Sequence, residues 1–572
     1  MNKENELKTF AELRYERPDF EALKDFYGKL NERLKNAKSF EEVDACIKED
    51  EAYSSHISTM MTIVEIRHTV DTSDRFYERE DEYIHQSYPE AMPYMQAFNE
   101  TLLRSPFRKA IDEKYGAHFL RSVQLGVDSF CEKNVPLMQE ESELTNRYQR
   151  LTAACKIPFQ GEERNLYGIL KYFSDPDRAV RREAAKKYEE FFEKNDKEMG
   201  KIFDRLVKLR HQMGVNMGFE NYIPLGYMQQ GRMDYDESMV AAFREQVKTH
   251  LVPFCEKLYK AQAKRIGVDK IKFYDEELVF PEGNAVPVGD RAYLVEQARK
   301  MYRDMSKETG EFIDFMIEHE LMDLDNKPNK AATGYMTALN DYKAPFVYSC
   351  FNGTTGDVDV LTHEMGHAFA GYAAMRTQPL QATWSEPTDI AEIHSMTMEQ
   401  FAYPYAELFF GDQADKYRFQ HLQQAITFVP FGVAVDEFQH IVYQNPDMTP
   451  DERTNAWREL EKKYMPWREY DESSAFFNRG GWWYHKLHIF HYPFYYINYT
   501  LTTMGAMEFK KKQAEDKQAC WRDYMTLCRL GGSLGYIDTL KAANLALPFE
   551  EGAVQKATSY ALQILEKELG QI

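Results

Sequence analysis

Residues 353–375 read GTTGDVDVLTHEMGHAFAGYAAM, and the spacing within them decides what kind of fold surrounds them. Leu361, Met365, Phe369 and Tyr372 recur at intervals of four and three, which gives the segment an apolar stripe and predicts a helix. On that helix His363 and His367 share a face, because residues four apart are neighbours. Glu364 stands between them and completes the HExxH pattern, in which two imidazoles bind one Zn²⁺ and the glutamate serves as base. With 15 His and 92 acidic residues among 572, chance supplies at most roughly 0.06 such motifs. Coincidence is set aside.

The flanks supply the setting. Residues 334–339 (GYMTAL) and 345–351 (PFVYSCF) are rich in aromatic and β-branched residues, and the second run ends at the turn dipeptide Asn352-Gly353. A strand, a turn and a helix capped near Asp357 follow in order. The loop 275–290, punctuated by Pro and Gly, offers one more short strand. Elsewhere apolar residues fall at helical spacing, as in residues 20–34, 142–154, 176–192 and 198–213. The expected fold class is mainly α, with one small sheet beside the HExxH helix.

A catalytic zinc site needs a third protein ligand and an open position. Ala370 and Ala373 occupy the places where a metzincin carries Gly and His, so that class is excluded. Downstream, residues 385–400 (SEPTDIAEIHSMTMEQ) open with the helix-start residues Ser385 and Pro387 and offer several acids. Asp389, Glu392 and Glu399 line one helical face. The spacing favours Glu392 as ligand, with Asp389 and Glu399 supporting the histidines. Glu386 and Asp389 are next in line for the ligand's place.

At this point the sequence resembles the thimet oligopeptidase/oligoendopeptidase F family of zinc metallopeptidases, most closely its oligoendopeptidase F branch. The likeness rests on HEMGH, on Glu392 within ExxSxxxE 29 residues after His363, and on residues 345–364 and 480–499. It implies one Zn²⁺ held by His363, His367 and Glu392, with Glu364 as general base, in a zincin-like core. It further implies a large helical prolate body with a deep channel that admits short peptides. Residues 1–195 would form a helical domain making one channel wall, and residues 196–572 the catalytic domain.

A second cluster lies in GGWWYHKLHIFHYPFYYINY, residues 480–499. Amide hydrolysis through a tetrahedral intermediate needs donors for the developing oxyanion. Tyr492, Tyr496 and Tyr499, spaced four and three apart as on a helix, are candidates, and they reproduce the spacing of the thimet branch's tyrosines. That branch's histidine position is Leu487 here, so His488 and His491 are the alternatives for its role. Gly531-Gly532-Ser533-Leu534-Gly535 matches the serine-hydrolase elbow GxSxG, but the preceding residues read as helix. The glycines are therefore expected to end that helix in a turn.

Composition bounds the rest. A net charge of −21 repels phosphate backbones and disfavours nucleic-acid partners. Seven scattered cysteines without a CxxC pair argue against a disulfide framework and for a reducing, cytoplasmic setting. The polar N-terminal stretch has no signal-peptide core. The most apolar run, residues 425–435, is interrupted by Pro430 and too short to span a bilayer. The expected function is zinc-dependent internal cleavage of short unstructured peptides. Release of C-terminal dipeptides or residues by the same zinc chemistry, and a zinc-stabilised scaffold that binds peptides without cutting them, are the alternatives.

Overall fold

Helices form where the periodicity places them, and several are capped by the residue the sequence offers. The computed structural model describes residues 7–331 and 333–569. Asp19 accepts the N–H of Ala22 and opens helix Phe20–Asn36, while Ser39 accepts that of Glu42 and opens helix Phe40–Val70. The segments expected at 176–192 and 198–213 are one helix, Arg178–Asn216. Its polar middle is the solvated side of a continuous element rather than a break. Pro430 likewise does not end a helix: it sits inside Ala414–Gln444, buried among apolar neighbours that offset its missing hydrogen bond.

The chain groups into two compact units, each assembled from separate stretches. One comprises Met1–Asp128, Val286–Asp412 and Lys512–Leu545; the other comprises Ser129–Ala285, Gln413–Lys511 and Ala546–Ile572. Residue 195, where the sequence suggested a boundary, lies within the helix Arg178–Asn216.

In the first unit, Phe20, Leu23, Tyr27 and Leu30 present one face of their helix to Val64, Phe98 and Leu102 of the two helices that follow. Against this layer lies a three-stranded sheet. Ahead of it in the chain, in the second unit, is a small hairpin of β1 (Ile157–Phe159) and β2 (Glu162–Arg164), turned by Gln160-Gly161 with both φ positive, which the sequence reading had passed over. The sheet itself contains β3 (Met322–Asp323), β4 (Tyr335–Leu339) and β5 (Ala344–Tyr348) in the order β3-β5-β4. β5 is buried throughout, parallel to β3 and antiparallel to β4, with Tyr335 opposite Tyr348. Those two rings stack at 4.8 Å. The Tyr348 hydroxyl donates to the Thr69 carbonyl at 2.8 Å, tying the sheet to the helix Phe40–Val70. The strand expected in 275–290 is absent among the described residues; that stretch is a loop after the turn Phe273–Asp275.

From β5 the chain turns at Gly353 (φ 80°) into the helix Thr355–Thr377, which carries HExxH. Beside it runs the helix Thr388–Ala402. The two approach closely at Gly366. A Cβ there would stand 2.7 Å from Ser395 Cα and 3.1 Å from the His394 carbonyl oxygen. Both are backbone atoms that cannot rotate away, so the helices could not pack this way around any larger residue.

In the second unit, the helix expected to carry three tyrosines is interrupted. Leu487–His491 is one short turn, Ile497–Glu515 is the next helix, and between them Phe494 is left-handed (φ 63°) and fully buried. Pro493 cannot continue the first helix, and the reversal at Phe494 costs of order 1–3 kcal/mol in backbone strain. Side chains from elsewhere hold it. Gln439 accepts the Phe494 N–H, Arg232 donates to the Phe494 carbonyl, and Gln230 donates to the Pro493 carbonyl at 3.1 Å. Arg210 donates to the Phe490 carbonyl.

Two substitutions test these constraints. Gly366→Ala forces the helices apart and is expected to cost about 1–3 kcal/mol in urea denaturation. Arg232→Met leaves a buried carbonyl without its donor and is expected to cost about 1–3 kcal/mol as well. Wild-type midpoints in either variant would show that the close approach, or the clamp, is not under load.

Candidate metal centre

The turn into the HExxH helix is fixed before any functional side chain appears. Thr354 is the residue preceding the helix, and Asp357, one turn in, reaches back to accept the N–H groups of Asn352 (2.9 Å) and Gly353 (2.7 Å). Asp357 thus anchors the start of the helix from within its first turn. Leu361, Met365 and Phe369 are buried as their stripe requires, and the opposite face carries the histidines.

His363 and His367 lie one turn apart with ring centroids separated by 5.0 Å. The Glu392 carboxylate comes from the neighbouring helix, its Oε2 3.2 Å from His363 Nε2 and 3.4 Å from His367 Nε2. Ligand lengths of about 2.0–2.2 Å at a tetrahedral angle separate N and O donors by roughly 3.3–3.5 Å. The two separations, 3.2 and 3.4 Å, lie close to that spacing, so this donor set fits a zinc ion. Among the described residues it is the one group of three such side chains whose donor atoms all lie within 4.8 Å of one another.

The surroundings orient each donor. Glu399 Oε1 lies 2.5 Å from His363 Nδ1, which places the ring proton there and leaves Nε2 free to coordinate. Burial disfavours charge on His363, but the bonds to Glu392 and Glu399 outweigh it and raise its pKa well above the ordinary value. For Glu392, burial would raise the pKa; the two histidines prevail and hold it well below the carboxylate range. Ser395 donates to Glu392 Oε2 at 3.0 Å and to the Glu392 carbonyl at 3.1 Å, pinning the rotamer. Asp389 is buried one turn before Glu392. Glu364 is half-buried on the helix of the histidines.

Glu386 is engaged elsewhere. Its Oε1 lies 3.1 Å from His394 Nε2, and the other nitrogen of that fully buried ring is 3.5 Å from Cys528 Sγ. The GxSxG segment is indeed the end of a helix, Lys517–Leu530, with Gly531 at φ 49°. Its glycines also allow the backbone of Thr383 and Ser385, leading into the Glu392 helix, to pass in contact. Gly366 and Ser395 are positioning residues that sequence reasoning left without a role, and for Gly531 and Gly532 it found the turn but not the close backbone contact. Of the first two, only Ser395 was marked, by the ExxSxxxE spacing.

In the second unit the predicted tyrosines and histidines form a cluster around His488, whose ring is 5.0 Å from Tyr496 and 6.1 Å from both Tyr492 and Tyr499. Tyr495, a further tyrosine of the 480–499 stretch, joins it at 5.7 Å. Lys486 donates to the Tyr496 hydroxyl at 3.0 Å. His491 touches Tyr492 but otherwise packs on Tyr148. Burial, then Lys486 and His491, push His488 down to about 4, so its imidazole is neutral at neutral pH. Burial lowers His491 too.

Known proteins resemble this chain along most of its length. Residues 10–130 match the Peptidase M3 N-terminal domain, and residues 171–282 and 305–558 match Peptidase family M3. An oligoendopeptidase F homolog of Borreliella burgdorferi is 19% identical over 422 residues, which are 71% of this chain and 67% of that protein. Among solved structures, PZ peptidase A bound to an inhibitor is 42% identical with a TM-score of 0.91, covering 98% of this chain and 99% of the other. A Bacillus anthracis protein assigned to oligoendopeptidase F is 38% identical with a TM-score of 0.86, covering 99% and 98%. The expected mainly helical fold with small sheets is the fold of these structures. The chain belongs to peptidase family M3 and is a metallo-endopeptidase.

Proposed function

We propose that this enzyme is a zinc oligoendopeptidase, cutting internal bonds of short unstructured peptides with one zinc ion held by His363, His367 and Glu392. The observation that carries the reading is the convergence of these three donors at ligand spacing, with a base, Glu364, beside them. Zinc, when bound, supplies Lewis acidity toward the scissile carbonyl. Glu364 takes the proton of the attacking water and delivers it to the leaving amine. Glu399 keeps His363 in the coordinating tautomer, Asp389 supports the same face, and Ser395 holds the Glu392 carboxylate in place.

Tyr492, Tyr496 and Tyr499 are the candidate donors to the oxyanion, assisted by the neutral imidazole of His488 rather than by His491. The number of tyrosines gathered around His488 supports that choice. Substrate backbone can add to the sheet, whose order leaves β4 at an edge, through main-chain hydrogen bonds indifferent to side chain. The names of the relatives support oligopeptides as substrates. A folded protein would first have to unfold, at about 5–15 kcal/mol. No helix among the described residues is long and apolar enough to cross a membrane.

The decisive experiment digests a mixed peptide library with and without a chelator and reads the products by mass spectrometry. Chelator-sensitive internal cuts are expected, with native proteins untouched; products cut only at C-termini would replace the endopeptidase reading. Glu364→Gln is expected to stay folded and to bind zinc by metal analysis while losing several orders of magnitude in rate. Glu392→Ala is expected to lose the metal itself. Tyr496→Phe or Tyr499→Phe should lower kcat by roughly 10²–10³ with little change in KM. A kcat unchanged beside a lowered Tm would return the tyrosines to packing.

A further inference from the structure

Within the first unit a cavity of about 440 Å³ is lined by His367, one of the candidate metal donors, and by Glu386. One side is formed by Met336 and Ala338 of the edge strand β4, and its apolar walls include Met95, Met375 and Trp384. Asp50 and Glu51, consecutive residues of the helix Phe40–Val70, line the same cavity. Each has one neutral donor: the Tyr27 hydroxyl lies 2.6 Å from Asp50 Oδ1, and the Gln381 N–H bonds to Glu51. Neither makes an ion pair among the described residues. Asp44, less than two turns earlier on the same helix, is held by both Lys48 and Lys114.

An ionised carboxylate has about four acceptor sites, so most of the capacity of this pair is unspent. Burial and the adjacent acid are felt at Glu51, whose pKa is pushed up to about 7 by desolvation first; the Gln381 N–H and Lys343 oppose the rise without cancelling it. Desolvation raises Asp50 as well. A cation entering the cavity would supply the partner both lack. Thioether and indole walls leading to paired carboxylates suit an aliphatic stem with a charged head, which among peptide side chains means Lys or Arg.

We propose that this cavity is a specificity subsite of the peptidase, selecting a Lys or Arg side chain close to the scissile bond, with Asp50 and Glu51 reading its charge. The assignment rests on the peptidase reading, because the nearness of His367 is what makes the cavity a substrate pocket. It adds a preference to an enzyme whose main-chain recognition is otherwise indifferent to sequence.

The test uses the zinc-loaded full chain and blocked peptides in which Arg, Lys, norleucine or Glu is moved through the three positions on each side of the cut bond. One position is expected to favour Arg or Lys over norleucine by about tenfold or more in kcat/KM. That ratio should collapse toward one in Asp50→Asn/Glu51→Gln, a near-isosteric pair of changes whose folding is checked by thermal melting. Glu51→Lys should turn the preference toward Glu. Equal rates for Arg and norleucine at all positions in the wild type, or an undiminished ratio in the variants, would overturn the subsite. Binding to Glu364→Gln, measured by calorimetry with and without Glu51→Gln, reads the same preference without turnover. Failure of the peptidase reading would appear separately, as an absence of chelator-sensitive cleavage of any peptide.

Discussion

The proposed metal centre depends on one contact, the approach of Gly366 to the backbone at Ser395. Two histidines on a single helix define a line, and only a donor from another element closes it into a three-sided site. Glu392 has a short side chain for that purpose, so its helix must run close against the first. A glycine in the middle of HExxH makes this possible at a cost of about 1 kcal/mol in helix propensity. Gly531 and Gly532 do the same on the far side of the Glu392 helix's entry, where another backbone crosses in contact.

Electrostatics then complete what packing begins. Glu392 and Glu399 flank His363 on its two nitrogens, so the ring is drawn toward the protonated state. A cation held by the three donors would replace that proton, which would couple metal uptake to proton release. Ser395 and Glu399 make the arrangement rigid in the way that supporting residues of metal sites do, each satisfying a lone pair or N–H that coordination leaves over.

Much of this was legible in the sequence because it is local. HExxH, the shared face of Asp389, Glu392 and Glu399, the strand–turn–helix order and the turn at Gly531 all depend on spacings within one or two elements. What was not legible depends on distant partners. The apolar run 425–435 reads as a buried helix segment despite Pro430, and it is one, but its extension to Ala414–Gln444 depends on packing from elsewhere. The spacing of Tyr492, Tyr496 and Tyr499 imitates one helix, and Pro493 was the local warning that it is not. The clamp that sustains the reversal comes from Arg210, Gln230, Arg232 and Gln439. The interleaving of the two units follows from contacts between stretches hundreds of residues apart, which no window of sequence contains.

The left-handed Phe494 has a consequence in time. Its carbonyl is held by Arg232, 262 residues earlier, and the neighbouring Phe490 carbonyl by Arg210, 280 residues earlier. At synthesis rates of about 5–20 residues per second, roughly a quarter of a minute to a minute separates the emergence of the clamp from that of the segment it holds. The HExxH helix leaves the ribosome in between, well before the tyrosine cluster can assemble. A chain still being made therefore carries HExxH without the tyrosine cluster. A metallo-endopeptidase thus completes its fold only after its own chain has ceased to be an unstructured peptide.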